Sequence, residues 1–423
     1  MEPKLLVIGN NPLTKTNANG RTLLGLLHGW PRERVAQFYI KPGRPDPESC
    51  GAYYRLTDRD VIRSVFLPKD GVTERTEASH STAPAAGGGQ SKPKKTVLFE
   101  ILRNCCWTVG HWKTKALRQW IRGVSPECVV LQVGDSTFLI KFACRLVKKL
   151  GVPLIVFNSE SYYFKRENYL GGGAGSNLLY RLFCRNYRKW FDRMMAAARY
   201  VIYLNDSLKE LYAPVFSTPA AVIRNAAQLS PRDEEPEERR GFSYLGNLGI
   251  KRYESLVELA DALRGIDESY YLDVYGKISD KACEAAFAAC PAIRYQGFVD
   301  YSTVERVMRT SRLVFHAESF RPEIVKEIQY AFSTKIPDAL ACGTCFVYYG
   351  DASIDGARYL REHDCACVIT DPGELKTRLE ALLADPELRK RYTENAKKLV
   401  RQEHDLVKNS ERFQGIVYES LAD

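Results

Sequence analysis

The feature that most constrains the fold is an alternation of short apolar runs with longer amphipathic segments, which occurs twice along the chain. In the first half, the runs LLVIGN (residues 5–10) and CVVLQVG (128–134) have the length of buried strands. The segment STFLIKFACRLVKKLG (136–151) has the period of an amphipathic helix. Such an alternation predicts a parallel sheet that is covered by helices on both faces.

A second series of the same kind begins at GFSYLGNLG (241–249), after the Pro- and charge-rich linker SPRDEEPEERR (230–240). We therefore predict an α/β protein with two doubly wound, Rossmann-like domains that face a central cleft, over residues 1–229 and 241–405. The last residues, 406–423, are expected to form a helix that crosses back to the first domain. Because open α/β sheets bind ligands beyond the C-terminal ends of their strands, the predicted site lies along those edges.

Two stretches of the first half depart from the alternation. Residues 68–95 are rich in Gly, Ala, Ser, Pro and Lys, which predicts a flexible insertion. Residues 96–121 combine Trp107, Trp112 and Trp120 with several Lys and Arg residues. This mixture is typical either of a helix pair packed inside the domain or of a helix at a membrane interface. We favour the packed pair, and membrane contact by 96–121 stays open.

Composition narrows the choice of partners and location. The net charge of +10 fits an anionic ligand or a membrane surface, but the basic residues accompany no nucleic-acid-binding motif, so no nucleic acid partner is expected. No run approaches the roughly 18 apolar residues of a transmembrane helix, and the start, MEPKLLVIGNN, does not have the pattern of a signal peptide. Twelve cysteines, among them one unrepeated CxxC at 342–345, indicate reduced thiols. The expected location is cytoplasmic, with a peripheral contact at the inner membrane face left open.

The first candidate group follows the strand that opens the second series. Gly246 and Asn247 begin a short turn that ends at Gly249, and Lys251 and Arg252 come next. A glycine-containing turn lets backbone N–H groups approach a phosphate, and a helix N-terminus with a cation completes an anion site. The alternative is an ordinary turn with exposed basic residues, because the spacing matches neither the dinucleotide fingerprint nor a P-loop.

The second group lies at a predicted helix start in the stretch STKIPDALACG. Ser333, Thr334 and Lys335 precede Pro337, which is tolerated in a first helical turn. Hydroxyls, a cation and free helix N–H groups together are suited to a diphosphate. Asp338, one turn inside, is able to accept hydrogen bonds from a vicinal diol such as that of ribose. The alternative is an N-cap followed by an acid that favours the helix dipole.

The third group lies in the first βα connection, Asn17-Ala18-Asn19-Gly20-Arg21-Thr22. Gly20 allows a close approach of the backbone to a ligand, and Arg21 offers a fork-shaped donor for phosphate or carboxylate. We predict that both contact the same ligand as the first two groups. The alternative is a plain turn with Asn and Gly in left-handed conformations.

At this point the residues indicate a family. The segments YLGNLGIKRYESLVELADAL, IRYQGFV, VFHAES and STKIPDALACGTCFVYYG resemble consecutive segments of retaining glycosyltransferases of family 4 type, which have the GT-B fold. The resemblance covers nearly the whole chain apart from 68–95. It implies a GT-B architecture with a nucleotide-sugar-binding C-terminal domain and an acceptor-side N-terminal domain.

The resemblance also implies roles for single residues. Asp338 takes the place of the second Glu of the family's E-x7-E motif, which binds the donor ribose. Lys251 or Arg252 takes the place of the diphosphate-binding cation, and Lys335 that of a lysine near the phosphates. Tyr330 stands where the family has the first Glu of the motif, which contacts the donor sugar.

Other carboxylates are candidates for the missing first Glu. Glu318 and Glu323 are both near in sequence, and we prefer Glu318 because it ends a strand at the cleft edge. The catalytic-region His of the family's first domain has no evident counterpart. Glu160, at the end of another strand, is the candidate for a polar contact with the acceptor.

The implied reaction is the transfer of a sugar from a nucleotide-diphosphate-sugar to an acceptor hydroxyl, with the anomeric configuration retained. Proposals for this class let the leaving diphosphate take the acceptor proton, so the protein positions both substrates and stabilises charge, chiefly through Lys335 and Arg252. The resemblance implies no cofactor, and no DxD-type metal motif occurs in a suitable place. The expected partners are the donor and a glycan or lipid-linked acceptor in polysaccharide or cell-surface glycan assembly.

Two other functions stay open at this stage. The first is a non-catalytic nucleotide-sugar-binding partner of a glycan assembly complex, which the Tyr330 departure keeps in view. The second is a GT-B-like sugar-nucleotide epimerase, which needs carboxylates and a His at the sugar. The chain has six His residues, and the sequence places none of them clearly in such a site.

Overall fold

The computed structural model describes residues 2–75, 96–170, 176–231, 241–278 and 280–422. The chain divides into two compact units, residues 1–224 with 407–423, and residues 225–406. Most of the predicted linker and the larger part of the predicted insertion lie outside the described residues. Each unit has a sheet with helices packed on it, so each has its own core.

The first unit is built on an eight-stranded sheet in the order β4-β3-β2-β1-β5-β6-β7-β8. The pairings are parallel except for β3 with β4. The central strands are fully buried, as their continuous apolar runs predict. The strands are β1 (Leu5–Gly9), β2 (Val35–Tyr39), β3 (Ala52–Arg55), β4 (Val72–Arg75), β5 (Cys128–Gln132), β6 (Leu154–Asn158), β7 (Tyr200–Tyr203) and β8 (Ala220–Val222).

Seven helices accompany these strands along the described chain. They are α1 (Ala18–Leu26), α2 (Asp58–Ser64), α3 (Val97–Val109), α4 (Lys115–Val124), α5 (Thr137–Leu150), α6 (Ser176–Ala197) and α7 (Asp206–Tyr212). Helix α2 begins after Thr57, which is its N-cap residue and forms a capping box with Asp60.

Three local predictions for the first unit need correction. Strand β4 lies inside the stretch that we predicted to be flexible, where it pairs with β3, itself not predicted. Helix α1 already begins at Ala18, inside the stretch 17–22 that we placed in the first βα connection, because the side chain of Asn17 caps it by accepting from the Gly20 N–H.

The segment 96–121 forms the packed helix pair that we favoured. Trp107 and Trp112 are buried, and the Trp107 ring stacks on Phe138 with centroids 4.2 Å apart. None of the helices in the described part of the chain is long and apolar enough to cross a membrane.

The second unit is built on a six-stranded, all-parallel sheet in the order β11-β10-β9-β12-β13-β14. Two of its helices, α11 (Pro322–Ile328) and α13 (Asp355–Glu362), were not predicted from the sequence. Its strands are β9 (Phe242–Leu245), β10 (Leu272–Tyr275), β11 (Ile293–Gly297), β12 (Leu313–Ala317), β13 (Phe346–Tyr349) and β14 (Cys367–Ile369). Its helices are α8 (Arg252–Ile266), α9 (Lys281–Ala289), α10 (Tyr301–Thr310), α11 (Pro322–Ile328), α12 (Ile336–Ala341), α13 (Asp355–Glu362), α14 (Leu375–Ala384) and α15 (Pro386–Glu403).

The last helix, α16 (Leu406–Ala422), belongs almost entirely to the first unit. Its Phe413 is buried with the ring centroid 6.0 Å from that of Trp30, and Asn409 donates from Nδ2 to the carbonyl oxygen of Arg224. The C-terminal residues therefore complete a core that the N-terminal residues begin.

Candidate functional site

The strand order of the second unit reverses between β9 and β12. From β9 the chain moves outward to β10 and β11, and it then returns to place β12 on the other side of β9. At such a switch point the two connections leave the sheet in opposite directions and open a crevice at the C-terminal edge. The turn from Gly246 to Lys251 follows β9, and Glu318 follows β12, so both lie at this crevice.

Arg252 and Glu318 form a buried ion pair at the switch point. Arg252 donates from Nε to Glu318 Oε2 over 2.8 Å and from Nη2 to Oε1 over 2.9 Å. His316 Nε2 lies 2.8 Å from the same Oε1. This bidentate geometry fixes the plane of the guanidinium group of Arg252, which is the first residue of α8.

Backbone and neighbouring side chains hold Glu318 in place. Its N–H donates to the carbonyl oxygen of Tyr349 on the adjacent strand, and its carbonyl oxygen accepts from the Ser255 hydroxyl of α8 over 2.8 Å. The Tyr348 ring stacks on His316 with centroids 5.5 Å apart, as the strand register pairs these two residues. The cluster is therefore built from β12, β13 and α8 together.

The electrostatics of the cluster favour a charged carboxylate. Burial raises the pKa of Glu318, but the hydrogen bond from His316 and the charge of Arg252 outweigh it and lower that pKa to about 2. Burial lowers the pKa of Arg252, and Glu318 raises it by more, so the guanidinium stays charged. A rigid cation at a helix N-terminus is suited to binding an anion such as a phosphate.

The β9–α8 turn approaches the neighbouring backbone closely. A Cβ on Gly276 would lie 2.2 Å from the carbonyl oxygen of Gly246, so this contact requires glycine at 276. Ile250 and Lys251 have φ angles of 52° and 58°, which are left-handed conformations uncommon for side chains of this kind. Asn247 stabilises the turn by accepting from the Gly249 N–H over 2.9 Å.

The candidates after β12 lie on the short helix α12 and the residues before it. Lys335 is the N-cap residue, and its N–H lies 3.4 Å from the Ser333 hydroxyl oxygen, while Ser333 and Thr334 are half-buried. The buried Asp338 accepts through Oδ1 from the backbone N–H groups of Gln228, at 2.6 Å, and Leu229, at 3.4 Å. Asp338 therefore ties α12 to the chain that enters the second unit.

The candidates of the first unit occupy helix and strand ends. Gly20 lies in the first turn of α1, where a Cβ would be 2.5 Å from the carbonyl oxygen of Thr14, so the packing of the β1–α1 connection requires glycine. Arg21 follows it in α1 and is half-buried. Glu160 lies after β6, and its carbonyl oxygen accepts from the Tyr212 hydroxyl over 3.0 Å.

Sequence reasoning missed His316, Ser255 and Tyr348. A signal for His316 was present, because residues two apart in a strand point to the same face, and His316 stands two before Glu318. Ser255 and Tyr348 reach the cluster only through the packing of α8 and β13 on β12, which the sequence does not display. Glu323, the candidate to which we preferred Glu318, has a largely exposed side chain. Across the described ranges, no group of three His, Cys, Asp or Glu side chains is arranged to hold a metal ion.

Comparison with known proteins gives one family match by sequence. Residues 252–415 match the family model described as glycosyl transferase-like, which is less than half of the chain. The matched segment begins at Arg252 and includes Glu318, Lys335 and Asp338. No curated protein sequence matches the chain.

Solved structures resemble the chain over almost its whole length. Anabaena Alr3699/HepE in complex with UDP and glucose has a TM-score of 0.63 at 13% identity, covering 99% of this chain and 100% of that one. Sucrose-phosphate synthase from Thermosynechococcus elongatus has a TM-score of 0.62 at 11% identity, covering 99% of both chains. WaaG, a glycosyltransferase involved in lipopolysaccharide biosynthesis, has a TM-score of 0.55 at 15% identity, covering 98% of this chain and 99% of its own. The predicted fold is confirmed, since the two Rossmann-like units match GT-B glycosyltransferase structures.

Proposed function

We propose that this chain is a retaining glycosyltransferase that transfers a sugar from a nucleotide-diphosphate-sugar to an acceptor hydroxyl. The observation that carries the proposal is the Arg252–Glu318–His316 cluster at the switch point of the second unit. Support comes from the glycosyl transferase-like match over residues 252–415, which includes the whole cluster. Similar structures are described with UDP and with UDP-glucose, so UDP-glucose is the first donor to test.

In the proposed reaction the bond between the anomeric carbon and the diphosphate oxygen breaks. A bond from the acceptor oxygen to that carbon forms on the same face, and the acceptor proton goes to the leaving diphosphate. Negative charge grows on the diphosphate as the bond breaks, so fixed positive groups accelerate this step most. We assign this task to Arg252, the N-terminus of α8 and Lys335. Gly246 and Asn247 supply the backbone of the diphosphate site, and Lys251 supplies an outer cation.

Glu318 acts in this proposal chiefly as a positioning residue. Its carboxylate holds two N–H groups of Arg252, and it is itself held by His316 and by the backbone of β13. A guanidinium that is already oriented needs no reorganisation when the diphosphate becomes more negative. The direct contact of Glu318 with the donor sugar stays a prediction.

The other candidate residues keep their predicted roles as proposals. Ser333 and Thr334 supply hydroxyls to the diphosphate, and Asp338 binds the donor ribose in addition to its backbone contacts. Gly20 and Arg21 contact the donor, and Glu160 contacts the acceptor. The acceptor is a glycan or a lipid-linked intermediate in polysaccharide or cell-surface glycan assembly.

Donor turnover and donor binding, measured side by side, test the proposal. The purified chain is incubated with several nucleotide-sugars. Turnover is measured as the release of nucleoside diphosphate, and donor binding is measured by calorimetry. Arg252→Lys keeps the charge but loses the two-pronged geometry, so we expect a loss of turnover of about a hundredfold or more. Lys335→Ala is expected to have a similar effect, and Lys376→Ala, which is on the exposed side of α14, serves as the control.

The outcomes separate the enzyme from the binding protein. Turnover by the wild type that is lost in both variants but kept in the control supports a glycosyltransferase. Retention is then checked by comparing the anomeric configuration of product and donor by NMR. Donor binding without turnover on any acceptor supports the non-catalytic alternative, and unchanged turnover in Arg252→Lys overturns the assigned site.

A further inference from the structure

The first unit has a switch point of its own, between β1 and β5. From β1 the chain moves outward through β2, β3 and β4, and β5 then returns to the other side of β1. The connections after β1 and β5 therefore leave the sheet in opposite directions and open a crevice at its C-terminal edge. The residues that directly follow β1 and β5 have no role in the proposed function, so the chemistry of this crevice needs its own account.

An amide lies across the crevice from one strand to the other. Asn10 is the first residue after β1, and Gly134 is the second residue after β5. A Cβ on Gly134 would lie 2.6 Å from Nδ2 of Asn10, so glycine leaves the space that this amide occupies. Oδ1 of Asn10 is screened from solvent and accepts no hydrogen bond from the described residues. A half-turn about χ2 exchanges the positions of the amide oxygen and nitrogen, so Asn10 is able to offer a ligand either an acceptor or a donor.

Polar side chains also occupy the turn from β5 into α5. Asp135 and Ser136 are buried, and the Ser136 hydroxyl lies 3.4 Å from Oδ1 of Asp135 instead of capping α5. Thr137, the first residue of α5, is fully buried, and its Oγ1 has no hydrogen-bond partner in the described part of the chain. Buried polar groups are nearly always paired in native proteins. Unpaired atoms on both sides of one crevice therefore indicate a ligand that bears hydroxyl groups.

Three carboxylates lie around one guanidinium beside the same turn. Arg103 donates from Nε to Asp58 over 2.9 Å and from Nη1 to Glu100 over 3.3 Å. Nη1 also lies 3.5 Å from the Ser136 hydroxyl oxygen. Burial lowers the pKa of Arg103, and the charges of Asp58, Glu100 and Asp135 raise it by more. This excess of negative charge repels an anion and favours a ligand that donates hydrogen bonds.

Tyrosine rings line the turn as well. Tyr187 donates to the carbonyl oxygen of Gly134 over 3.1 Å. Burial raises the pKa of Tyr169, and the charge of Asp135 raises it further, so this ring lies close to the carboxylate. Lys165, with Nζ 4.6 Å from the Tyr169 centroid, adds a second cation, and the three acids still outnumber the two cations. Aromatic rings beside a few polar groups are the usual lining of a small-molecule site.

We propose that the β1–β5 crevice of the first unit binds a neutral sugar through Asn10, Asp135 and Thr137. Sugar hydroxyls donate to the Asp135 carboxylate and exchange hydrogen bonds with the Asn10 amide and the Thr137 hydroxyl. The excess of negative charge rejects a sugar that carries a carboxylate or a phosphate. The inference rests on the proposed function, in which this sugar belongs to the acceptor, and it gives the acceptor a chemical class.

Saturation-transfer difference NMR on the full chain tests sugar binding without any use of turnover. The probes are methyl glucoside, methyl galactoside and methyl N-acetylglucosaminide, with methyl glucuronide as the acidic counterpart of the first. We expect a neutral glycoside to bind at least about tenfold more tightly than methyl glucuronide. Asp135→Asn should weaken the neutral glycoside about tenfold and also narrow its advantage over methyl glucuronide, because the repelling charge is gone.

Two further variants keep the binding test specific. Thr137→Val keeps the shape of the side chain without its hydroxyl, so it should stay folded by circular dichroism and weaken the neutral glycoside about fivefold. Glu411→Gln removes an exposed carboxylate of the first unit and should bind every probe like the wild type. The inference is overturned if no neutral glycoside binds, or if Asp135→Asn and Thr137→Val both bind the probes like the wild type.

Acceptor kinetics separate this inference from the proposed function. With UDP-glucose as the donor and the bound glycoside as the acceptor, Asp135→Asn should raise the acceptor KM about tenfold and leave the donor KM unchanged. A raised donor KM with an unchanged acceptor KM overturns the sugar site and leaves the transferase in place. Glycoside binding with the expected preferences but without turnover of any donor supports the sugar site and overturns the transferase alone.

Discussion

At the scale of the residue, Glu318 is a buried charge whose contribution to stability depends on pH. Its folded-state pKa of about 2 is below its ordinary value, so the contribution is present above the unfolded-state pKa of about 4.3. It is lost as pH falls through that range toward 2. Glu318→Gln should lower the free energy of unfolding at neutral pH by about 3–5 kcal/mol, because Arg252 is left buried without its partner.

Denaturant unfolding at a series of pH values measures this contribution. The difference between the wild type and Glu318→Gln should narrow as the pH falls from about 4.5 toward 2. Glu254→Gln is the matched control, because Glu254 also forms a two-pronged pair, with Arg321, but on the surface. An exposed pair contributes at most about 1 kcal/mol. A pH-independent difference for Glu318→Gln would contradict the lowered pKa.

The same cluster shows what single residues reveal in a sequence. Arg252 and Glu318 could be selected because each follows a predicted strand at the sheet edge where ligands bind. Their pairing could not be read, because they are far apart in sequence and meet only when β9 and β12 become neighbours. The same limit of prediction from sequence applies to Asp338. Its carboxylate was visible as a ligand candidate, but its contact with the Gln228 and Leu229 backbone depends on tertiary packing.

At the scale of the element, Asp338 joins α12 to the backbone at 228–229. Two substitutions at Asp338 separate this stabilising role from the proposed binding of ribose. Asp338→Ala leaves two backbone N–H groups without their acceptor and should cost about 1–3 kcal/mol. Asp338→Asn keeps an acceptor oxygen and should retain most of that stability. If Asp338 also binds the ribose, Asp338→Asn should still weaken donor binding in calorimetry. Equal donor affinity in Asp338→Asn and the wild type would leave the residue a positioning role only.

The turn between β9 and α8 gives a second prediction for an element. Gly276→Ala places a methyl group against the Gly246 backbone, so the turn must shift and donor binding should fall at least about tenfold. Gly265→Ala, inside α8, would place a Cβ at ordinary contact distance, 3.7 Å, from the flexible Lys376 side chain, and it should be neutral or raise stability by about 0.5–1 kcal/mol. Thermal unfolding and donor titration of both variants check the pair. Wild-type donor affinity in Gly276→Ala would show that the turn does not contact the donor.

At the scale of the whole molecule, two rounds of strand–helix alternation were enough to predict two doubly wound α/β units. The GT-B type was predicted from the family resemblance and not from the alternation. The periods of strands and helices are local properties of the sequence, so they survive without knowledge of tertiary contacts. The strands β3 and β4 and the helices α11 and α13 were not predicted, because none of them shows the continuous apolar run or the sustained helical period on which the prediction rested. Helix α3 was predicted, but the exposure of its apolar residues was not, because an apolar helix face favours burial and yet Leu98 and Leu102 are each 55% exposed.

The assignment of α16 to the first unit yields a prediction about the whole chain. Phe413 is fully buried beside Trp30, so Phe413→Ala should cost the first unit about 3–5 kcal/mol. Because the second unit has its own sheet and core, it should keep its stability. Hydrogen exchange followed by mass spectrometry should then show faster exchange in peptides from β1 and β5, and unchanged exchange in peptides from β9 and β12. Tyr418→Ala, on the exposed side of α16, is the control and should change neither set. Equal acceleration in both units would mean that they unfold as one cooperative body.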